Sequence, residues 1–177
     1  MPSLLQSLFR HPALSRVRRN HGLEHATIHL LSQRYPHRPF IGRSDPGGFY
    51  IYGEVETSSL EEVIFEALSR LRLGEHQLAI HPNCGTNLVT SGLLAGAASF
   101  FALMGSEKEG WRQRLDRFPN AILLTMGALL IAQPLGRSAQ KHITVQTDPE
   151  DLEVLVVQRV GEEPRPFHRV VTSSSHD

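Results

Sequence analysis

Cysteine is almost missing: one residue in 177, so no disulfide closes within the chain and no oxidising compartment is implied. Aromatic side chains make up only 7%, too few for a base-stacking platform, and 18 basic against 18 acidic residues leave no positive excess for nucleic acid. The opening MPSLLQSLFRHPALSRVRR does not read as an export signal, because its apolar residues are interrupted and its arginines follow them. Leu4, Leu5, Leu8 and Phe9 fit one face of a helix, with Arg10, Arg16, Arg18 and Arg19 nearby. Such a helix packs on a core or lies on an anionic membrane surface. The length suits one domain, or one domain carrying an insertion.

Charge is also missing locally, over two long stretches. None occurs from Pro82 to Ser106, where NLVTSGLLAGAASFFALMG is long enough to cross about 30 Å of hydrocarbon at about 1.5 Å per residue. None occurs in FPNAILLTMGALLIAQPLG, from Phe118 to Gly136. A charged connection, SEKEGWRQRLDR, separates them and carries Trp111 where an interfacial aromatic belongs. The pattern predicts a transmembrane helical hairpin over 82–136, in contact with the lipid bilayer; a buried hairpin in a soluble core is the alternative. Small residues at four-residue spacing, Gly92 with Gly96, Ala95 with Ser99 and Ala128 with Ala132, allow close helix approach within the hairpin or in a homo-oligomer. A hairpin leaves 1–81 and 137–177 on one side as parts of one polar domain. The absent export signal and the unpaired thiol favour the cytoplasmic side of the cell membrane.

The polar parts predict an α+β domain: a small mixed sheet with two or three helices, interrupted by the hairpin. His21 to Gln33 reads as a helix capped by Asn20, and Ser59 with Glu62 as a capping box for a second one. Leu60, Val63, Ile64, Ala67, Leu68 and Leu71 form the apolar stripe of that second helix. Phe49–Thr57, Gln77–Ile80, HITVQT, DLEVLVVQRV and FHRVVT read as strands, with a βαβ unit and parallel pairing in the first half. SSSHD reads as a frayed tail.

Histidine is what the chain has in plenty, with ten. NHGLEHAT places His21 and His25 four apart on one helical face, with Glu24 bordering it and His29 one turn further on. H-x-x-E-H is a pattern in which two imidazoles bind zinc at about 2.1 Å and the glutamate moves protons. Two histidines are too few for a site, and HPNCGTN offers His81 and Cys84, three apart in a turn shaped by Pro82 and Gly85. The metal-ligand set expected is His21, His25, His81 and Cys84, with zinc suited to N and S donors and Glu24 as the catalytic residue. Four ligands make a closed, structural site; three leave a position open for water. The sequence does not choose between these. Cys84 precedes a helix whose positive end favours the thiolate. His11, His37, His168 and His176 are expected on the surface or in loops.

HG-x-EH followed by HP-x-CGT at the mouth of a hydrophobic span resembles the YqhQ-like bacterial membrane proteins, predicted metal-dependent enzymes. LGRSAQKHITVQTDPEDLEVLVV is similar to the segment after the membrane in that family. The whole chain more closely resembles a smaller bacterial family of unknown function that carries NHGLEHAT and HPNCGTN. The shared positions are His21, Gly22, Glu24, His25, His81, Pro82, Cys84, Gly85 and Thr86, while 36–77 departs from the larger family. The resemblance implies a membrane protein with metal dependence and supplies no reaction. The residues themselves suggest a membrane-anchored zinc hydrolase acting near the bilayer interface on a membrane-associated substrate, with peptide bonds the default by analogy. A non-catalytic protein with a structural zinc site is the alternative, and a hydrolase with Cys84 as nucleophile is the third.

Overall fold

A single helix, α1, covers Pro12–Arg34 in the computed structural model, which describes residues 12–104, 111–160 and 167–174. The amphipathic stretch around Leu4–Phe9 lies outside the described residues. Asn20 does not cap α1 as expected; it sits fully buried inside it. Leu23, Ala26, Leu30 and Leu31 recur at the spacing of one helical face, and all are buried. Burying that face is what holds a helix whose middle is rich in polar side chains.

Two strands follow, β1 (Ile41–Asp45) and β2 (Gly48–Tyr52), paired antiparallel across Pro46 and Gly47. The strand expected to reach Thr57 ends at Tyr52, because α2 already begins at Thr57 and runs to Arg72. Its N-cap is Glu56, with no side-chain cap bond, so the Ser59–Glu62 pair lies inside the helix rather than at its start. All six residues of the predicted α2 stripe are buried.

Gln77–Ile80 is not a strand. His76–Ala79 forms a 3-10 turn in which adjacent Leu78 and Ala79 are both buried, whereas a strand would send them to opposite faces. HITVQT is not a strand either: Gln140–Thr144 forms a π-type turn. The remaining strands are β3 (Glu153–Arg159) and β4 (Phe167–Ser173). The sheet order is β1-β2-β4-β3 and every pairing is antiparallel, so the fold is α+β but the described residues contain no parallel βαβ unit. Without a third strand between α2 and the hairpin, there is nothing for a crossover to join.

The polar unit comprises Met1–His81 with Ile143–Asp177. Phe49 and Ile51 of β2 and Val170 of β4 turn inward to a core shared with α1 and α2. Polar pairs join distant parts of the chain at its edge. The buried Arg19 guanidinium donates to Asp151 at 2.6 Å and to Ser174 at 3.0 Å. Ser174 in turn donates to Asp151 at 2.8 Å, which ties down the start of the expected frayed tail; residues 175–177 lie outside the described residues. The amide of Asn20 donates to the Asp45 carbonyl at 2.9 Å and accepts from the Thr172 hydroxyl at 2.7 Å, linking α1 to both β1 and β4.

The second unit is Pro82–His142. It contains α3 (Gly85–Leu103) and α4 (Trp111–Ala139), both long and apolar enough to cross a membrane. Their apolar side chains point outward: Leu88, Leu93, Phe100, Leu123 and Leu130 are each more than 60% exposed. The seam between the two helices uses Ser99 and Ala132, from two of the expected small-residue pairs, but not the glycine pair. Gly92 and Gly96 face open space, while Ser99 meets Thr125 hydroxyl to hydroxyl at 2.8 Å and Ala132 is buried. At the other end, Gly136 approaches Asn87 so closely that an added Cβ would lie 3.1 Å from the Asn87 Cα.

His168 is fully buried, contrary to its expected place on the surface, because its position on β4 faces inward beside Val170 and Thr172. Its Nε2 shares a hydrogen bond with the Thr57 hydroxyl at 3.1 Å, and its Nδ1 has no partner among the described residues. Burial, helped by the charge of Arg159, holds its pKa below the ordinary imidazole value. The folded protein therefore keeps it neutral, while the unfolded chain takes up a proton near about pH 6.5. This contribution is complete above that pH and is lost as the pH falls toward the depressed folded value. Thermal unfolding from pH 7.5 to 5 should show a fall in Tm that His168→Gln makes shallower; an identical slope in the variant would contradict this placement.

Candidate metal centre

The motif NHGLEHAT fills the middle of α1, and most of its side chains have an assigned contact. Asn20 fixes the helix to the sheet, Leu23 and Ala26 enter the core, and Thr27 bonds back to the Leu23 carbonyl at 2.8 Å. The two histidines are left to face a third. His21 and His25 have ring centroids 4.3 Å apart, and the His81 ring lies 5.8 Å from that of His25.

The second nitrogen of each helical histidine is already committed. His21 Nδ1 is 3.1 Å from the carbonyl oxygen of Thr144, and His25 Nδ1 is 2.8 Å from that of Ala79. A carbonyl only accepts, so each Nδ1 carries a hydrogen, which leaves Nε2 as the nitrogen each ring can offer to a metal. That is the arrangement metal-binding histidines adopt, with one nitrogen anchored and the other presented. The glycine in HGLEH has its own reason. A Cβ at Gly22 would run into the carbonyl oxygen of Gln146, so only glycine lets the 144–146 segment lie against α1 and bring the Thr144 carbonyl to His21.

Glu24 reaches β1 at Gly42 and Ser44. It is buried and accepts a hydrogen bond from Ser44 at 2.5 Å. A Cβ at Gly42 would occupy the space of its carboxyl group, so Gly42 and Ser44 together form a cradle for one carboxylate. Burial pushes the Glu24 pKa up, against the opposing pull of the Ser44 hydroxyl and of His21. Burial also lowers the pKa of His81, as do neighbouring His25 and His29, which favours a neutral ring. His29 is thus a neighbour of His81.

Cys84 belongs to the second unit, where it is the N-cap of α3 and its sulfur accepts from the Thr86 amide at 3.4 Å. The chain runs to it from His81 in three residues.

The roles of Ser44 and of the carbonyls of Ala79 and Thr144 were not visible in the sequence. A main-chain carbonyl has no letter of its own, and only the glycines Gly22 and Gly42 carried a trace of these close approaches.

An α+β domain presenting anchored imidazoles, joined to a pair of long apolar helices, is the class of protein described so far. The chain belongs to the family described as Domain of unknown function (DUF6391), which matches residues 16–157 and so spans both histidine motifs. It is also similar to an uncharacterized protein of Picosynechococcus sp., at 37% identity over 163 residues, covering 81% of this chain and 69% of the relative. No solved structure matches it.

The cradle makes a direct prediction. Gly42→Ala should destabilise the polar domain by about 1–3 kcal/mol through overpacking against Glu24. Pairing it with Glu24→Ala should recover part of that loss, as measured by denaturant unfolding. Additive losses in the double variant would contradict the contact.

Proposed function

We propose that the protein is a membrane-anchored, zinc-dependent hydrolase whose metal ligands are His21, His25 and Cys84, with Glu24 handling protons. The observation that carries this reading is the pair of neighbouring imidazoles whose Nδ1 atoms are both held by main-chain carbonyls. Cys84 follows His81 by three residues, so the chain itself keeps its Cα within about 11 Å of that of His81. Imidazole nitrogen with thiolate sulfur is a donor set that selects zinc over hard cations.

Bound zinc would supply a Lewis acid for a carbonyl or phosphoryl oxygen and lower the pKa of a water molecule. The buried Glu24 carboxyl, raised in pKa and braced by Ser44, is suited to accept a proton and return it. With three ligands engaged, His81 remains beside His25 to orient a substrate group. The two long apolar helices cross the cell membrane in this reading, with the polar domain in the cytoplasm and the site near the lipid boundary.

One observation favours a second reading. His81 sits close enough to His25, and in a pKa-lowering environment, to serve as a fourth ligand. The site would then be closed and structural.

Protein purified in mild detergent should carry one zinc per chain. His25→Ala should lose it, and Glu24→Gln should keep both zinc and fold while abolishing hydrolysis of membrane-associated substrates. Zinc whose removal unfolds the domain, together with zinc retention that requires His81, would favour the structural role; wild-type protein without zinc would contradict both.

A further inference from the structure

The second unit has a cavity of its own. About 580 Å³ in volume, it opens between the start of α3 and the last turns of α4 and is lined by Asn83, Cys84, Asn87, Ser91, Gln133 and Arg137, among others. We propose that this cavity binds the anionic headgroup of a membrane amphiphile, with Arg137 as its counter-charge. The lipid setting rests on the reading of α3 and α4 as membrane spans, and the role of the bound amphiphile as substrate rests on the zinc reading. Binding itself needs only the first.

Three features of the cavity point to that ligand. The first is charge. Arg137 forms no ion pair and no side-chain hydrogen bond among the described residues, and none of the residues lining the cavity is acidic. A guanidinium at the boundary of the hydrocarbon region is most stable against an oxyanion it can meet with two parallel N–H donors. The second is construction. Gly136 brings α4 into close approach with Asn87, which places the neighbouring Arg137 against the opening turn of α3. Asn87 is fixed in that turn by donating to the Pro82 carbonyl at 2.7 Å. The amide groups of Asn87 and Gln133 and the hydroxyl of Ser91 then give an oxyanion and its ester oxygens further polar neighbours. The third is the apolar wall. Leu88 lines the same cavity and is 76% exposed, so a ligand seated by its head has a hydrocarbon-facing side along which its chains can run. A soluble anion would gain nothing from that wall. Cys84 on the rim puts the headgroup beside a proposed zinc ligand.

The test uses the full chain in detergent micelles doped with phosphatidylglycerol or phosphatidylcholine, with retained lipid read by native mass spectrometry and zinc measured on the same samples. Phosphatidylglycerol should be retained at least tenfold more than phosphatidylcholine. Arg137→Gln should abolish that preference and Arg137→Lys should restore part of it. Ser91→Leu, which fills the cavity without touching the charge, should also reduce retention; circular dichroism should show native helix content in each variant. Equal retention of both lipids, no effect of Arg137→Gln, or displacement of the lipid by millimolar inorganic phosphate alone would overturn the proposal. Arg137-dependent retention in protein that carries no zinc would uphold the lipid site while removing the metal reading, so the two can fail separately.

Discussion

Two hydrogen bonds from imidazole to main-chain carbonyl, His21 to Thr144 and His25 to Ala79, organise the polar domain's chemistry. Each depends on a segment with no other obvious reason for its shape. The 3-10 turn His76–Ala79 sets out the Ala79 carbonyl, and the close approach of the 144–146 segment over Gly22 sets out that of Thr144. A strand in either place would have spent those carbonyls on a sheet ladder. The two expected strands that are helical turns instead are therefore the two that supply the carbonyls holding the histidines.

The same helix is held against sliding by other polar contacts. Asn20 bonds to β1 and β4, and Arg19 joins Asp151 and Ser174. Glu24 is enclosed by Gly42 and Ser44. Buried polar groups with partners specify position more sharply than apolar packing does, because a shift by one helical turn would leave every one of them unpaired. A metal site needs that kind of fixed geometry, with its rings set before the ion arrives.

The apolar stripe of α2 was legible to the residue, since six buried positions at helical spacing leave little choice. The two apolar helices were legible from the absence of charge, and β3 and β4 from runs of β-branched residues. Other features depend on tertiary contacts that leave no local pattern. Asn20 is a good helix cap by type, yet it serves as a buried tie because Asp45 and Thr172 meet it in space. Gly92 and Gly96 fit a packing motif and face open space, whereas Ser99 and Ala132, from the other two expected small-residue pairs, lie at the seam with Thr125 and Gly136, which were not singled out. His168 was indistinguishable from a loop histidine until its strand was paired. In the candidate site, the histidines were visible by spacing, whereas their carbonyl anchors and the cradle around Glu24 were not.

The central claim is that nitrogen from α1 and sulfur from the start of α3 share one zinc ion. X-ray absorption at the zinc K-edge, on protein purified in mild detergent, tests it directly. The account predicts a first shell of imidazole nitrogen at about 2.0–2.1 Å with one sulfur at about 2.3 Å, the sulfur contribution vanishing in Cys84→Ser. A shell of nitrogen and oxygen alone in the wild-type protein, unchanged by that substitution, would contradict it.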